Sequence, residues 1–187
     1  MQFVTSKSLE LTLALIKPHA VKSPSVVESI KNEILKNKFY ILRYKRCLLN
    51  VELASCMYKI HEGKPFYPRL IGHMTSGPLE SFLLARENCI TKWRHMMGIT
   101  RACEAHIEDP SSIRGQYGLS NTRNATHGSD SSQSAEKECS VFFPDFSTTE
   151  WYKNEEIYFR NGYVKFDENQ FVHVKDVGAA SLVVSFQ

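Results

Sequence analysis

The residue best suited to covalent chemistry is His127, in the run Asn124-Ala125-Thr126-His127-Gly128-Ser129-Asp130. A neutral imidazole nitrogen is a nucleophile near pH 7 and needs no separate base to free its lone pair. The pattern predicts a short strand from Arg123 to Thr126 leading into His127, with a helix over Ser131 to Phe143 close behind. A helix start presents free N–H groups and a dipole that favour phosphate, so phosphoryl transfer is the chemistry this position suggests. The second imidazole nitrogen needs an orienting acceptor. Ser131, Ala135, Glu138 and Phe142 fall on one helical ridge, and Glu138 puts a carboxylate into a face that otherwise reads as buried. On these two residues alone, a turn histidine and a glutamate at the edge of a solvated face fit at least as well. No G-x-x-x-x-G-K-[ST] run occurs, and the protein-kinase motifs are absent, so any phosphoryl chemistry uses other means.

The elements that must position these residues follow from periodicity. Leu9 to Ile16 alternates as a buried strand that Pro18 stops, and Ser23-Pro24 opens a helix with Val27, Ile30, Ile34 and Leu35 as its stripe. Phe39 to Leu49 reads as a second strand. Helical spacing returns over Val51 to Ile60 and again over Tyr67 to Met74. A strand over Leu79 to Ala85 and a helix over Asn88 to Met97, closed by Gly98, come next. Ile99 to Asn121 lacks periodicity and reads as a long structured loop. The order βαββαβ predicts an α/β (α+β) fold, an antiparallel sheet with helices covering one face. Residues 1–8 read as an extension, 9–146 as the domain and 147–187 as a tail. In that tail, strands around Tyr163 to Phe166 and Phe171 to Val174 are the only pattern.

Composition bounds the classes. A length of 187 residues suits one domain, and a net charge of +3 is too small to argue for nucleic acid. Single-stranded nucleic-acid binding also lacks its aromatic block and basic stripe, so no nucleic-acid partner is expected. Leu11 to Ile16 is far too short to span a bilayer, so no transmembrane segment is expected. Five scattered cysteines with no C-x-x-C pair argue against a disulfide framework and fit a reducing compartment. The expected location is intracellular and not secreted.

The run from Asn124 to Asp130 has the form N-x-x-H-G-S-D, and Ser134-Ala135-Glu136-Lys137-Glu138 continues it. Ala14-Leu15-Ile16-Lys17-Pro18, His61 to Leu70 with Pro65-Phe66-Tyr67, His73 to Pro78, Met97-Gly98-Ile99-Thr100 and Ile113-Arg114-Gly115 precede it in order. In these blocks the chain resembles the nucleoside diphosphate kinases over Leu9 to Phe143. The resemblance implies a ferredoxin-like sheet and ping-pong transfer of a γ-phosphate from a nucleoside triphosphate to a nucleoside diphosphate. It implies that His127 carries the phosphate and that Glu138 orients it. Lys17, Arg94, Thr100, Arg114 and Asn124 would bind phosphates and ribose. Tyr58 and Ser129 would support the reacting centre, and Phe66 and Leu70 would hold the base. Mg2+ would come with the nucleotide, held by its phosphates and water, with no metal site of protein ligands.

Each assignment has a physical sense. Lys17 ends an apolar strand, a costly place for an ammonium unless an anion meets it or the stem snorkels to solvent. Arg94 and Arg114 offer planar forks that match phosphate oxygens. Phe66 between two prolines reads as a surface turn, although a core aromatic also fits.

The chain departs from the family pattern at His19, where an Asp is common, and at Asn121, where an aliphatic residue is usual. The stretch from Thr100 to Arg114 is longer than in common members, and the tail after Phe146 differs. The longer stretch, the Phe142-Phe143-Pro144-Asp145-Phe146 element and Thr122-Arg123-Asn124 resemble a divergent branch called type six, whose association with mitochondria widens the expected location to mitochondrial or cytoplasmic. The longer stretch, Asn121 and the tail leave open a homo-oligomer or a protein partner, and a competing function as a weakly active nucleotide-binding or scaffolding subunit.

Overall fold

The computed structural model describes residues 7–176 and Gly178. In chain order the elements are β1 (Glu10–Ile16), α1 (Pro18–Val21), α2 (Pro24–Lys36), β2 (Tyr40–Cys47), α3 (Val51–Met57), a 3-10 turn (Lys59–His61), α4 (Tyr67–Met74), β3 (Leu79–Arg86) and α5 (Cys89–Met97). Then come α6 (Ala102–Glu108), α7 (Ile113–Tyr117), β4 (Thr126–Gly128), α8 (Ser132–Phe142), α9 (Thr148–Asn154), α10 (Glu156–Arg160), β5 (Val164–Asp167) and β6 (Val172–Lys175). Local chemistry sets several boundaries. Pro18 and Pro24 each sit at a first helical position, where the missing N–H costs nothing. Asn50 and Ser131 cap α3 and α8 by accepting from Leu53 N and Ser134 N. Gly98, at φ 79°, ends α5 in a conformation that side chains disfavour.

Four strands form an antiparallel sheet in the order β2-β3-β1-β4, the ferredoxin-like arrangement. β1 lies between β3 and β4, and its register sets Leu15 opposite His127 and Ala14 opposite Gly128. The expectation of helices on one face is corrected: both faces are covered. Leu9, Leu11, Leu13 and Leu15 pack in one cluster with Ala54, Leu70, Met74 and Phe142. Ala14 and Ile16 pack in another with Ile30, Ile34 and Trp93. A strand apolar on both sides of its pleat needs a layer on each.

Three further expectations change. The aperiodic stretch after Gly98 contains α6 and α7, each too short to show a helical stripe. The last strand of the sheet is Thr126–Gly128, so His127 sits inside it rather than beyond its end. Residues 147–176 of the tail, where the sequence predicts only the two strands around Tyr163 to Phe166 and Phe171 to Val174, also carry α9 and α10 and pack against the domain. Trp151 and Phe159 join the cluster around Leu9 and Leu13, and Glu156 Oε1 accepts from Leu9 N at 2.9 Å. The β5–β6 hairpin covers the open edge of β2, where His173 Nδ1 accepts from Ile41 N at 3.0 Å.

Candidate active site

β4 and α8 bring the predicted nucleophile and its acceptor together. His127 Nε2 lies 3.0 Å from Glu138 Oε2, and Ser129 Oγ donates to the same oxygen at 2.7 Å. Ser129 Oγ also accepts from Leu13 N at 3.2 Å, which ties the strand–helix turn to the sheet. A carboxylate only accepts, so the proton rides on Nε2 and the lone pair belongs to Nδ1. The contacts between His127 and α8 run through Glu138, well inside the helix, and not through free N–H groups at its start.

Around this pair the structure gathers cations and hydroxyls. Lys17 is 5% exposed; its ammonium donates to Asn124 Oδ1 at 2.7 Å and to Thr122 O at 3.3 Å. Burial, and after it the charge of Arg114, lowers its pKa from 10.5 to about 7. Asn124 Nδ2 donates to Thr100 O at 3.0 Å, so this amide fixes Lys17 against the turn after α5. Arg114 donates to Gly98 O at 2.8 Å, Thr100 Oγ1 at 3.3 Å and Thr126 O at 3.4 Å. Burial and the neighbouring Arg94 lower its pKa to about 10. Arg94, Thr100 and Arg114 line one cavity of about 320 Å³. Arg114 Nε and the Tyr58 hydroxyl are both buried with no hydrogen-bond partner among the described residues, so two donors near the imidazole lack an acceptor there.

An aromatic path leads outward from the imidazole. The Tyr58 ring stands edge-on to His127 at 5.7 Å, His61 lies 6.2 Å from Tyr58, and Phe66 lies 5.4 Å from His61. Phe66 is 37% exposed at the start of α4, a face on which a flat base could rest. Leu70 is 6% exposed and belongs to the core cluster beneath, so it supports this platform from inside more than it offers open surface.

Residues 10–148 match the family model described as nucleoside diphosphate kinase. The chain belongs to the nucleoside diphosphate kinase family. It is 47% identical over 167 residues to nucleoside diphosphate kinase 6 of Homo sapiens, covering 89% of this chain and 90% of the human protein. To the protein of the same name from Danio rerio it is 45% identical, covering 89% of this chain and 95% of that one. Among solved structures, the nucleoside diphosphate kinase of Aquifex aeolicus aligns at a TM-score of 0.70 and 33% identity, covering 76% of this chain and 99% of that chain. The similarity to the human and zebrafish proteins supports the type-six branch.

Within this kinase family the departures now have a setting. His19 Nδ1 lies 3.1 Å from His73 Nε2, and burial lowers both imidazoles to about 4. A neutral histidine pair thus stands near Lys17, and among the described residues no carboxylate forms an ion pair with that lysine. The longer stretch before Arg114 contains α6, which His106 fastens to α7 with ring nitrogens 2.5 and 3.0 Å from the Gly115 and Gly118 carbonyls. Asn121 is exposed.

Two site residues were missed from sequence. His61 links Tyr58 to Phe66, and nothing in its spacing announces this. Trp93 donates from Nε1 to the His127 carbonyl at 3.0 Å. A signal for Trp93 existed, because an indole on an apolar helix face needs an acceptor for its N–H. Among the described residues no group of three or more His, Cys, Asp or Glu side chains gathers to hold a metal. None of the helices described is long and apolar enough to cross a membrane.

Proposed function

We propose that this protein is an active nucleoside diphosphate kinase, passing the γ-phosphate of a nucleoside triphosphate to a nucleoside diphosphate through phospho-His127. The observation that carries the reading is the Glu138 contact, which occupies Nε2 and leaves Nδ1 without a partner among the described residues. In the first half-reaction the Nδ1 lone pair attacks the γ-phosphorus. An N–P bond forms, the bridging P–O bond breaks, and the diphosphate leaves with that electron pair. The proton stays on Nε2, where Glu138 stabilises the cationic ring. In the second half-reaction a terminal phosphate oxygen of the acceptor attacks phosphorus and the N–P bond breaks, returning the lone pair to Nδ1.

The surroundings supply what this transfer needs, which is positioning and charge. Lys17, Arg94, Arg114 and Thr100 would take phosphate oxygens, and Asn124 would hold Lys17 in place and reach the ribose. Burial raises the Tyr58 pKa, so its unpartnered hydroxyl stays protonated and can donate to phosphate. Ser129 buttresses Glu138. Phe66 would stack on the base, which accepts any base because each has a π-face. The donor set is cationic and neutral, which fits Mg2+ arriving on the nucleotide, where it would offset phosphate charge, held by phosphates and water.

Initial rates at several fixed acceptor concentrations test the reading. Parallel double-reciprocal lines are expected for transfer through a phosphoenzyme. Converging lines would show that donor and acceptor must be bound together and would remove His127 as carrier.

A further inference from the structure

The sheet holds the strand of the nucleophile from the β1 side, where hydrogen bonds from Lys17 N to Ala125 O at 2.8 Å and from Ser129 N to Leu13 O at 3.3 Å continue the pairing beyond its two ends. β4 has three residues and, among the described residues, pairs only with β1 and lies at the sheet edge. Ala125, just before it, takes a left-handed φ of 64°. On the side away from β1, such an edge would let the His127 backbone shift unless something outside the sheet holds it. Two side chains donate to its carbonyls: Arg114 to Thr126 O at 3.4 Å and Trp93 to His127 O at 3.0 Å.

The Trp93 contact is closely built. The indole is fully buried, with its edge-to-face partner Phe39 at 6.2 Å. It packs in the cluster with Ala14, whereas Leu15, opposite His127 in the register, packs in the other. Trp93 therefore braces β4 from the face opposite the imidazole. Gly128 lies beside it, and a Cβ added there would fall 2.4 Å from Trp93 Cδ1 and 2.6 Å from Nε1. The absence of a side chain at Gly128 lets the indole lie against the strand backbone. Core packing alone would fill this space without aiming the N–H at the one carbonyl that belongs to the nucleophile.

We infer that Trp93 is a positioning residue for His127, holding the imidazole at the distance from Glu138 that phosphate transfer requires. The inference rests on the proposed phosphohistidine reaction. Trp93 is too deeply buried to touch a nucleotide, so its loss acts on kcat and leaves KM unchanged. The expected fall is roughly 5- to 10-fold, the size of one buried hydrogen bond.

The test places 3-benzothienylalanine at position 93, an isostere with sulfur in place of the N–H, beside Trp93→Phe. Each protein is assayed for kcat and KM, and its His127 ring nitrogens are followed by ¹⁵N NMR without nucleotide. The expected result is a native melting temperature for the isostere, a reduced kcat, an unchanged KM and shifted His127 Nε2 resonances. Unchanged kcat with unchanged resonances in the folded isostere would overturn the inference, as would a change confined to KM. Wild-type protein that transfers no phosphate would instead overturn the phosphohistidine reading. The ring resonances would then decide separately whether Trp93 holds His127.

Discussion

Glu138 accepts from His127 Nε2 at 3.0 Å, and this contact fixes which imidazole nitrogen is free to react. Glu138→Gln keeps the shape and removes the charge that stabilises the cationic ring. A charge-assisted hydrogen bond contributes about 1.5–3 kcal/mol, so kcat should fall roughly 10- to 100-fold. Steady-state rates with any diphosphate acceptor check this, and an unchanged kcat would show that Glu138 does not orient the nucleophile.

Lys17 predicts a proton uptake on binding. Its folded pKa of about 7 lies below the ordinary 10.5, so between these values the unfolded chain binds more protons. The resulting penalty is full below pH 7 and is relieved as pH rises toward 10.5, so the nucleotide-free protein gains stability across that window. A bound phosphate restores the charged form. Calorimetry at pH 8 in buffers of different ionisation enthalpy should show a proton taken up by wild type and not by Lys17→Arg, whose side chain stays charged. Equal enthalpies in all buffers would mean that Lys17 is already charged before nucleotide binds.

Phe66 predicts loss of affinity without loss of base tolerance. Phe66→Ala should raise KM for adenine, guanine and pyrimidine nucleotides alike, by an amount matching about 1–3 kcal/mol of stacking. A rise confined to one base would point to a contact that reads base edges, which an exposed aromatic face does not supply.

The tail predicts a stability effect. Trp151 is 3% exposed in the core cluster beside Leu9, so Trp151→Ala should cost about 3–5 kcal/mol. Denaturant unfolding measures this directly. A cost below 1 kcal/mol would show that Trp151 adds little to the domain core. Acid should loosen the hairpin as well. Burial lowers His173 to about 4, below its ordinary 6.5, so the stability its neutral form contributes is complete above pH 6.5 and is lost as pH falls toward 4. Hydrogen exchange in β5 and β6 should accelerate over that interval.

Much of this was legible in the chain. The alternating leucines of β1, Pro18 and the Ser23-Pro24 start announced themselves because each rests on local periodicity or a backbone rule. His127 and Glu138 were legible through their motif and the ridge spacing on α8. What escaped depends on contacts distant in sequence. No local pattern says that Trp93 reaches a carbonyl 34 residues on. Short helices such as α6 complete too few turns to show a stripe. The tail is apolar only at scattered points, and Trp151 and Phe159 gain meaning once Leu9 offers them a partner.

The central claim is that His127 Nδ1 carries phosphate. Purified protein mixed with γ-labelled ATP and Mg2+, then quenched, should hold acid-labile, base-stable label that added nucleoside diphosphate discharges. His127→Ala should hold none. Equal label on that variant, or no label on folded, nucleotide-binding wild type, would contradict the account.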